Sequence, residues 1–101
     1  MSYGLEEKVL EQIRDVFAEF PLISLVVLYG SRAKGTHKRG SDIDLCFFGE
    51  GITQELLYKI DCRLDDLSLP YSFDLSLFDH LKNQELKEHI RRVGVVLYPL
   101  L

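Results

Sequence analysis

The sequence predicts one α/β (α+β) domain over residues 1–101, a mixed sheet of about four strands with helices packed against it. Three observations carry that reading. Apolar residues recur at helical spacing in three separate stretches, and short apolar segments bounded by Gly or Pro read as strands. The two kinds alternate along the chain, with no repeat or low-complexity segment between them.

The first helix is read from Leu5, Val9, Ile13, Val16, Phe17 and Phe20, which form one stripe, and Pro21 ends it. Residues 24–29 then make a strand that is apolar on both faces and runs into Gly30 and a short helical turn over residues 31–34. Gly35 and Gly40 bracket a polar loop. The second strand, residues 42–48, puts Asp42, Asp44 and Cys46 on one face and Ile43, Leu45 and Phe47 on the other, because side chains alternate along a strand.

A second amphipathic helix buries Leu57, Ile60, Leu64 and Leu67, with Thr53 as its N-cap and Pro70 beyond its end. Residues 73–77 form the third strand, with Phe73, Leu75 and Leu77 inward and Asp74 and Ser76 on the opposite face. Asp79 is expected to cap a last helix that buries Leu86, Ile90 and Val93 and stops at Gly94. Residues 95–98 make an edge strand before Pro99.

At 47% hydrophobic and 28% charged residues, the composition is that of a folded soluble domain, and no apolar run reaches the roughly eighteen residues of a membrane span. The amino terminus carries acids and no uninterrupted apolar segment, so the expectation is no signal peptide, no membrane and a cytoplasmic location. A net charge of -4 argues against direct nucleic-acid binding. Against that background Arg32, Lys34, Lys38 and Arg39 form one basic rim between Ser31 and Ser41. Cys46 and Cys62 have no metal-ligand spacing and are read as small buried hydrophobes. His37, His80 and His89 show no mutual spacing and are read as surface residues.

The chemistry lies in GSRAKGTHKRGSDID: Gly30 and Ser31, ten residues, then Asp42 and Asp44. Magnesium takes oxygen ligands and binds through one or two carboxylates plus water and substrate phosphates. Asp42 and Asp44, two apart on a strand, offer such a pair, and Asp74 completes it if the second and third strands are neighbours with matching faces. Asp44 lies in a segment that should be half buried, where an unpaired carboxylate is costly. Gly30 permits a sharp turn and close approach of a ligand, and Ser31 opens a helical turn whose amides suit phosphate. Arg32 and the cations after it stand ready to neutralise a triphosphate or departing pyrophosphate.

At these residues the sequence resembles the minimal nucleotidyltransferases of the DNA polymerase beta superfamily, whose signature is a Gly-Ser pair, ten residues, then Asp-x-Asp. The likeness runs through LYGSRAKGTHKRGSDIDL, FDLSL and IRRVGVVLY. It implies that Asp42, Asp44 and Asp74 are catalytic and bind two Mg2+ ions, and that Gly30, Ser31 and Arg32 hold the phosphates of ATP as co-substrate. Larger relatives use a carboxy-terminal helical region, not found here, to bind base or acceptor; the expected acceptor therefore lies on another protein. The resemblance extends to antitoxins that pair with a HEPN-type helical toxin and transfer AMP to one of its tyrosines. Two alternatives stay open: a binding subunit that only masks its partner, with the apolar tail from Val95 to Leu101 adding to the interface, or an enzyme modifying a small hydroxyl compound such as an antibiotic. A homo-oligomer is compatible with either.

Overall fold

The computed structural model describes residues 2–38 and 40–100, and the elements come in the order the sequence predicts. Helix α1 (Glu7–Ala18) buries Leu10, Ile13, Val16 and Phe17 and ends three residues ahead of Pro21. Leu5, read as the start of its stripe, is fully buried but precedes the helix, in a tight bridge between Ser2 and Leu5. Strand β1 (Leu25–Tyr29) leads directly into the single turn α2 (Ser31–Lys34), and β2 (Ile43–Phe48) follows the polar loop. Arg39 of the expected basic rim and Leu101 of the expected apolar tail lie outside the described residues.

Helix α3 (Gln54–Asp65) starts as expected, with the Thr53 hydroxyl accepting from the Leu56 amide at 3.1 Å. It buries Leu57, Ile60 and Leu64, and β3 (Phe73–Leu77) follows. The last helix departs from expectation at its start. Asp79 sits in a 3-10 turn (Phe78–His80), and α4 (Gln84–Val93) is capped by Asn83, whose side chain accepts from the Leu86 amide at 3.2 Å. Apolar Leu81 follows that turn and packs on the sheet, so the chain extends before it can coil. Ile90 is the buried residue of α4, while Leu86 and Val93 are half buried. Strand β4 (Val95–Tyr98) closes the chain at the sheet edge, as read.

The sheet order is β3-β2-β1-β4. Strands β1 and β2 are antiparallel, as are β1 and β4, whereas the crossover through α3 makes β2 and β3 parallel. On one face, α1 and α3 cover the main core of Val26, Leu28, Ile43, Leu45, Phe47 and Leu97, with Phe17 packed edge-on to Phe47. An ion pair between Arg63 of α3 and Glu19, at 2.6 Å, links the two helices. The other face carries a smaller cluster of Val27, Tyr29, Cys46 and Ile90 under α4. Cys46 is buried, as read; Cys62, read as buried, is exposed, because it falls on the side of α3 away from the Leu57, Ile60 and Leu64 stripe. Among the described residues no helix is long and apolar enough to cross a membrane.

Candidate active site

Strand pairing brings the acids together. Asp44 is registered against Asp74 on the parallel side and against Tyr29 on the antiparallel side, so the three form a row across the sheet. Paired residues project to the same face, here the face that α4 covers only in part. The condition set by the sequence, that the second and third strands be neighbours with matching faces, is therefore met. Asp42 lies just before β2, exposed, as does the Asp74 side chain on β3, while Asp44 is half buried.

The electrostatics of the row follow from that geometry. Burial pushes the Asp44 carboxyl above its usual value, and the negative charges of Asp74 and Asp42 push it further; Arg32 opposes them. Tyr29 is raised for the same chief reason, burial, with Asp74 and Asp44 adding to the shift and a 3.3 Å hydrogen bond between its hydroxyl and that of Ser76 opposing it. Three mutually repelling acids are an unfavourable arrangement until positive charge joins them. Among the described residues no group of three or more His, Cys, Asp or Glu side chains is arranged to hold a metal ion by itself. The donor set is instead open and all-carboxylate, which suits Mg2+, an ion that keeps water and substrate oxygens in its shell.

The other end of the motif meets the same acids. Gly30 has φ +77°, a left-handed conformation that glycine adopts without penalty, and a Cβ placed there would collide with Oδ2 of Asp44. The turn and the acid are thus packed face to face, with no space for a side chain on Gly30 while Asp44 keeps its place. Ser31 then opens α2, whose first amides have no intrahelical partner.

Arg32 departs from its expected place. The sequence reading put it among exposed cations facing a triphosphate, but it is only 3% exposed. Its Nε and Nη2 donate to the Ser41 carbonyl at 3.2 and 2.9 Å, its Nη1 donates to the Tyr3 carbonyl at 3.0 Å, and the guanidinium lies over the Tyr71 ring. The residue after Ser31 therefore grips the residue before Asp42, and the ten-residue spacing is stapled from inside. Lys34 and Lys38 remain exposed.

Two histidines also depart. His37 is half buried, with its Nδ1 enclosed and without a partner among the described residues. His89 of α4 is half buried against the edge of Tyr29, and its Nε2 accepts the Gly30 amide at 3.3 Å. Burial lowers its pKa, as do the nearby charges of Lys34 and Arg92. Sequence reasoning missed this residue because the contact joins residues 59 apart in the chain; the only available signal was a histidine one position before the buried Ile90, on a helix otherwise rich in long charged side chains.

Comparison with known proteins agrees with this fold. The fold is similar to a chain of a toxin-antitoxin crystal structure with AMP-PNP, at TM-score 0.74 and 22% identity over 90% of this chain and 73% of that one. It is also similar to a chain of the MntA-HepT toxin-antitoxin, at 0.70 and 16% over 94% and 74%. A third similar chain belongs to the structure of a tri-AMPylated Shewanella oneidensis HEPN toxin in complex with an MNT antitoxin, at 0.70 and 16% over 95% and 74%. No curated protein matches the chain in sequence. Residues 11–99, which hold the Gly-Ser turn and all three acids, match the family model "Polymerase beta, Nucleotidyltransferase", and the chain belongs to that family.

Proposed function

We propose that this chain transfers AMP from ATP to a hydroxyl of a partner protein, a tyrosine of a HEPN-type toxin, and thereby acts as its antitoxin. The observation that carries the chemistry is the register of Asp44 against Asp74 with Gly30 packed on Asp44, which supports a single site for phosphate and acid groups. The similar complexes of MNT and HEPN proteins, one of them AMPylated, support the partner.

In this reading Asp42, Asp44 and Asp74 would hold two Mg2+ ions, which would supply charge neutralisation on the phosphates and lower the pKa of the acceptor hydroxyl. Ser31 presents its backbone amide and hydroxyl to the β and γ phosphates, and Gly30, with no side chain, lets them approach closely. Lys34 adds an exposed positive charge at the rim. The acceptor oxygen attacks the α phosphorus, the new O–P bond forms as the bond from that phosphorus to the β-bridging oxygen breaks, and pyrophosphate leaves with the electron pair. Asp74, the exposed acid of the row, accepts the hydroxyl proton. Arg32 acts at one remove, by fixing the backbone before Asp42. Positioning and charge neutralisation supply the catalysis.

The test is incubation with Mg2+, α-labelled ATP and a HEPN-type partner, comparing the parent with Asp42→Asn and Asp44→Asn. Label on a partner tyrosine, lost in both variants, supports the reading. Full labelling by either variant overturns the assignment of the acids, and neutralisation of the partner by an unlabelling double variant would favour masking instead.

A further inference from the structure

The site described so far accounts for the nucleotide but gives no path for the acceptor. Strand β3 is an edge strand, and it carries Asp74. The Ile43 amide donates to the Ser72 carbonyl at 2.8 Å, which sets the phase of the ladder. In a parallel pair alternate residues turn their peptide groups to the same neighbour. Asp74 and Ser76 therefore bond toward β2, and the N–H and C=O groups of Phe73 and Leu75 face the open edge. Edge groups of this kind are a template for another strand.

On the opposite face of that same edge lies a groove of about 210 Å³ between α3 and β3, lined by Gln54, Leu57, Tyr58, Asp61, Phe73 and Leu75. Its floor is apolar, and Phe73 and Leu75, read from the sequence as inward, are only half buried because nothing among the described residues lies beyond them. Tyr58 on its rim is 69% exposed. Gln54 is held at one end by a 3.1 Å hydrogen bond with His80. The other end, beside Phe73 and hence beside Asp74, is acidic: Asp61 lines it with Asp65 one turn further along α3. Burial and the charge of Asp65 both raise the Asp61 pKa, so this end lacks compensating positive charge. No cation is among the lining residues.

We infer that the acceptor enters as an extended segment added to the free edge of β3, its hydroxyl residue paired with Asp74 and that residue's two neighbours seated in the α3–β3 groove. The inference rests on Asp74 being one of the catalytic acids. Strand geometry does the sorting. A residue paired with Asp74 projects to the face of Asp44 and Asp74, while the residues on either side of it project to the opposite face, where the groove is. Backbone pairing supplies affinity and the groove supplies selectivity, the usual division of labour in strand addition. The groove's chemistry then specifies the segment: a hydroxyl residue between two apolar ones, with Lys or Arg close by to meet Asp61. The transfer itself is the same displacement at the α phosphorus with loss of pyrophosphate, the proton passing to the Asp74 carboxylate.

The probe is the labelled peptide Lys-Ser-Leu-Tyr-Leu-Ser-Lys, which satisfies either strand direction. Three relatives accompany it: Glu for both Lys, Ser for both Leu, and N-methyl groups on the Tyr amide and both Leu amides, which block the ladder in either strand direction. Binding is read by fluorescence anisotropy without ATP, and transfer separately with Mg2+ and α-labelled ATP. The parent peptide is expected to bind at least tenfold tighter than each of the three, and Asp61→Lys is expected to reverse the preference between the Lys and Glu peptides while leaving the KM for ATP within twofold. Equal affinity for all four peptides, or an unchanged preference in Asp61→Lys, overturns the inference. The two proposals fail separately. If the binding preferences hold but no peptide or protein is ever labelled, the transferase reading fails and the docking site stands. If the tyrosine is labelled equally well in all four peptides, the docking site fails and the transferase stands.

Discussion

The amide of Gly30 donates to Nε2 of His89, 3.3 Å away and 59 residues further along the chain. An imidazole nitrogen accepts a hydrogen bond only when it carries no proton, so this contact requires neutral His89 with its hydrogen on Nδ1. The contact ties α4 to the turn that faces Asp44, and through the ring of Tyr29 to the row of acids.

The first prediction concerns that contact. Gln offers an acceptor oxygen and Phe keeps the ring against Tyr29 but accepts nothing, so His89→Gln should retain most nucleotide binding while His89→Phe raises the KM for ATP several-fold with a smaller effect on kcat. Burial, Lys34 and Arg92 hold the His89 pKa below its usual 6.5, so the folded chain binds this proton less readily than the unfolded chain. Stability from this group is complete above about pH 6.5 and is lost as the pH falls below it. Urea midpoints measured from pH 8 to 5 should fall less steeply in His89→Gln than in the parent. An identical slope would remove His89 from the account.

Gly30 supplies the second prediction. Alanine there must adopt φ +77° and place a methyl group on Oδ2 of Asp44. That conformation, with ψ at -154°, costs about 1–3 kcal/mol for a residue with a Cβ, and the collision adds to it. In an Asp44→Ala background only the conformational part remains. A double-mutant cycle on urea stability should therefore show Gly30→Ala costing clearly less when Asp44 is already truncated; equal costs in both backgrounds would mean that the two residues are not packed together in solution.

Asp44 itself is held in a place that disfavours its charge, half buried beside Asp74 and Asp42. Asp44→Asn removes the repulsion and keeps the shape. The variant should melt at a temperature equal to or above that of the parent while losing nucleotide transfer by at least a hundredfold, the opposite signs that mark a residue placed for chemistry at the expense of stability. A lower melting temperature would identify Asp44 as a structural acid.

Much of this was legible in the sequence, for physical reasons that also explain the failures. Strand periodicity put Asp42 and Asp44 on one face, and the alternation in residues 73–77 put Asp74 on the face that the register then matched to Asp44. Burial patterns within one element are written in its own residues. Arg32 was misplaced because the carbonyls that bury it, those of Ser41 and Tyr3, are backbone groups with no side-chain signature. Asp79 was a plausible cap by residue type, but Leu81 packs on the sheet and delays the helix to Asn83. His89 needed knowledge of how α4 docks across β1, which no local pattern contains.

The fourth prediction follows from the placement of Arg32. Because its guanidinium satisfies the carbonyls of Ser41 and Tyr3 and lies over Tyr71, truncation leaves buried acceptors unpaired, at about 1–3 kcal/mol each. Arg32→Ala should therefore lower the urea-unfolding free energy by more than about 2 kcal/mol. Lysine keeps the charge but cannot fork to two carbonyls, so Arg32→Lys should recover only part of that loss. The discriminating measurement is kinetic. If Arg32 binds phosphate directly, Arg32→Lys keeps a cation in the site and the KM for ATP changes little while kcat holds. If it works by fixing the backbone ahead of Asp42, the lysine variant loosens that acid and kcat falls at least tenfold, even at saturating ATP and at a temperature where the variant is fully folded. The burial of the guanidinium and its three carbonyl contacts favour the second outcome.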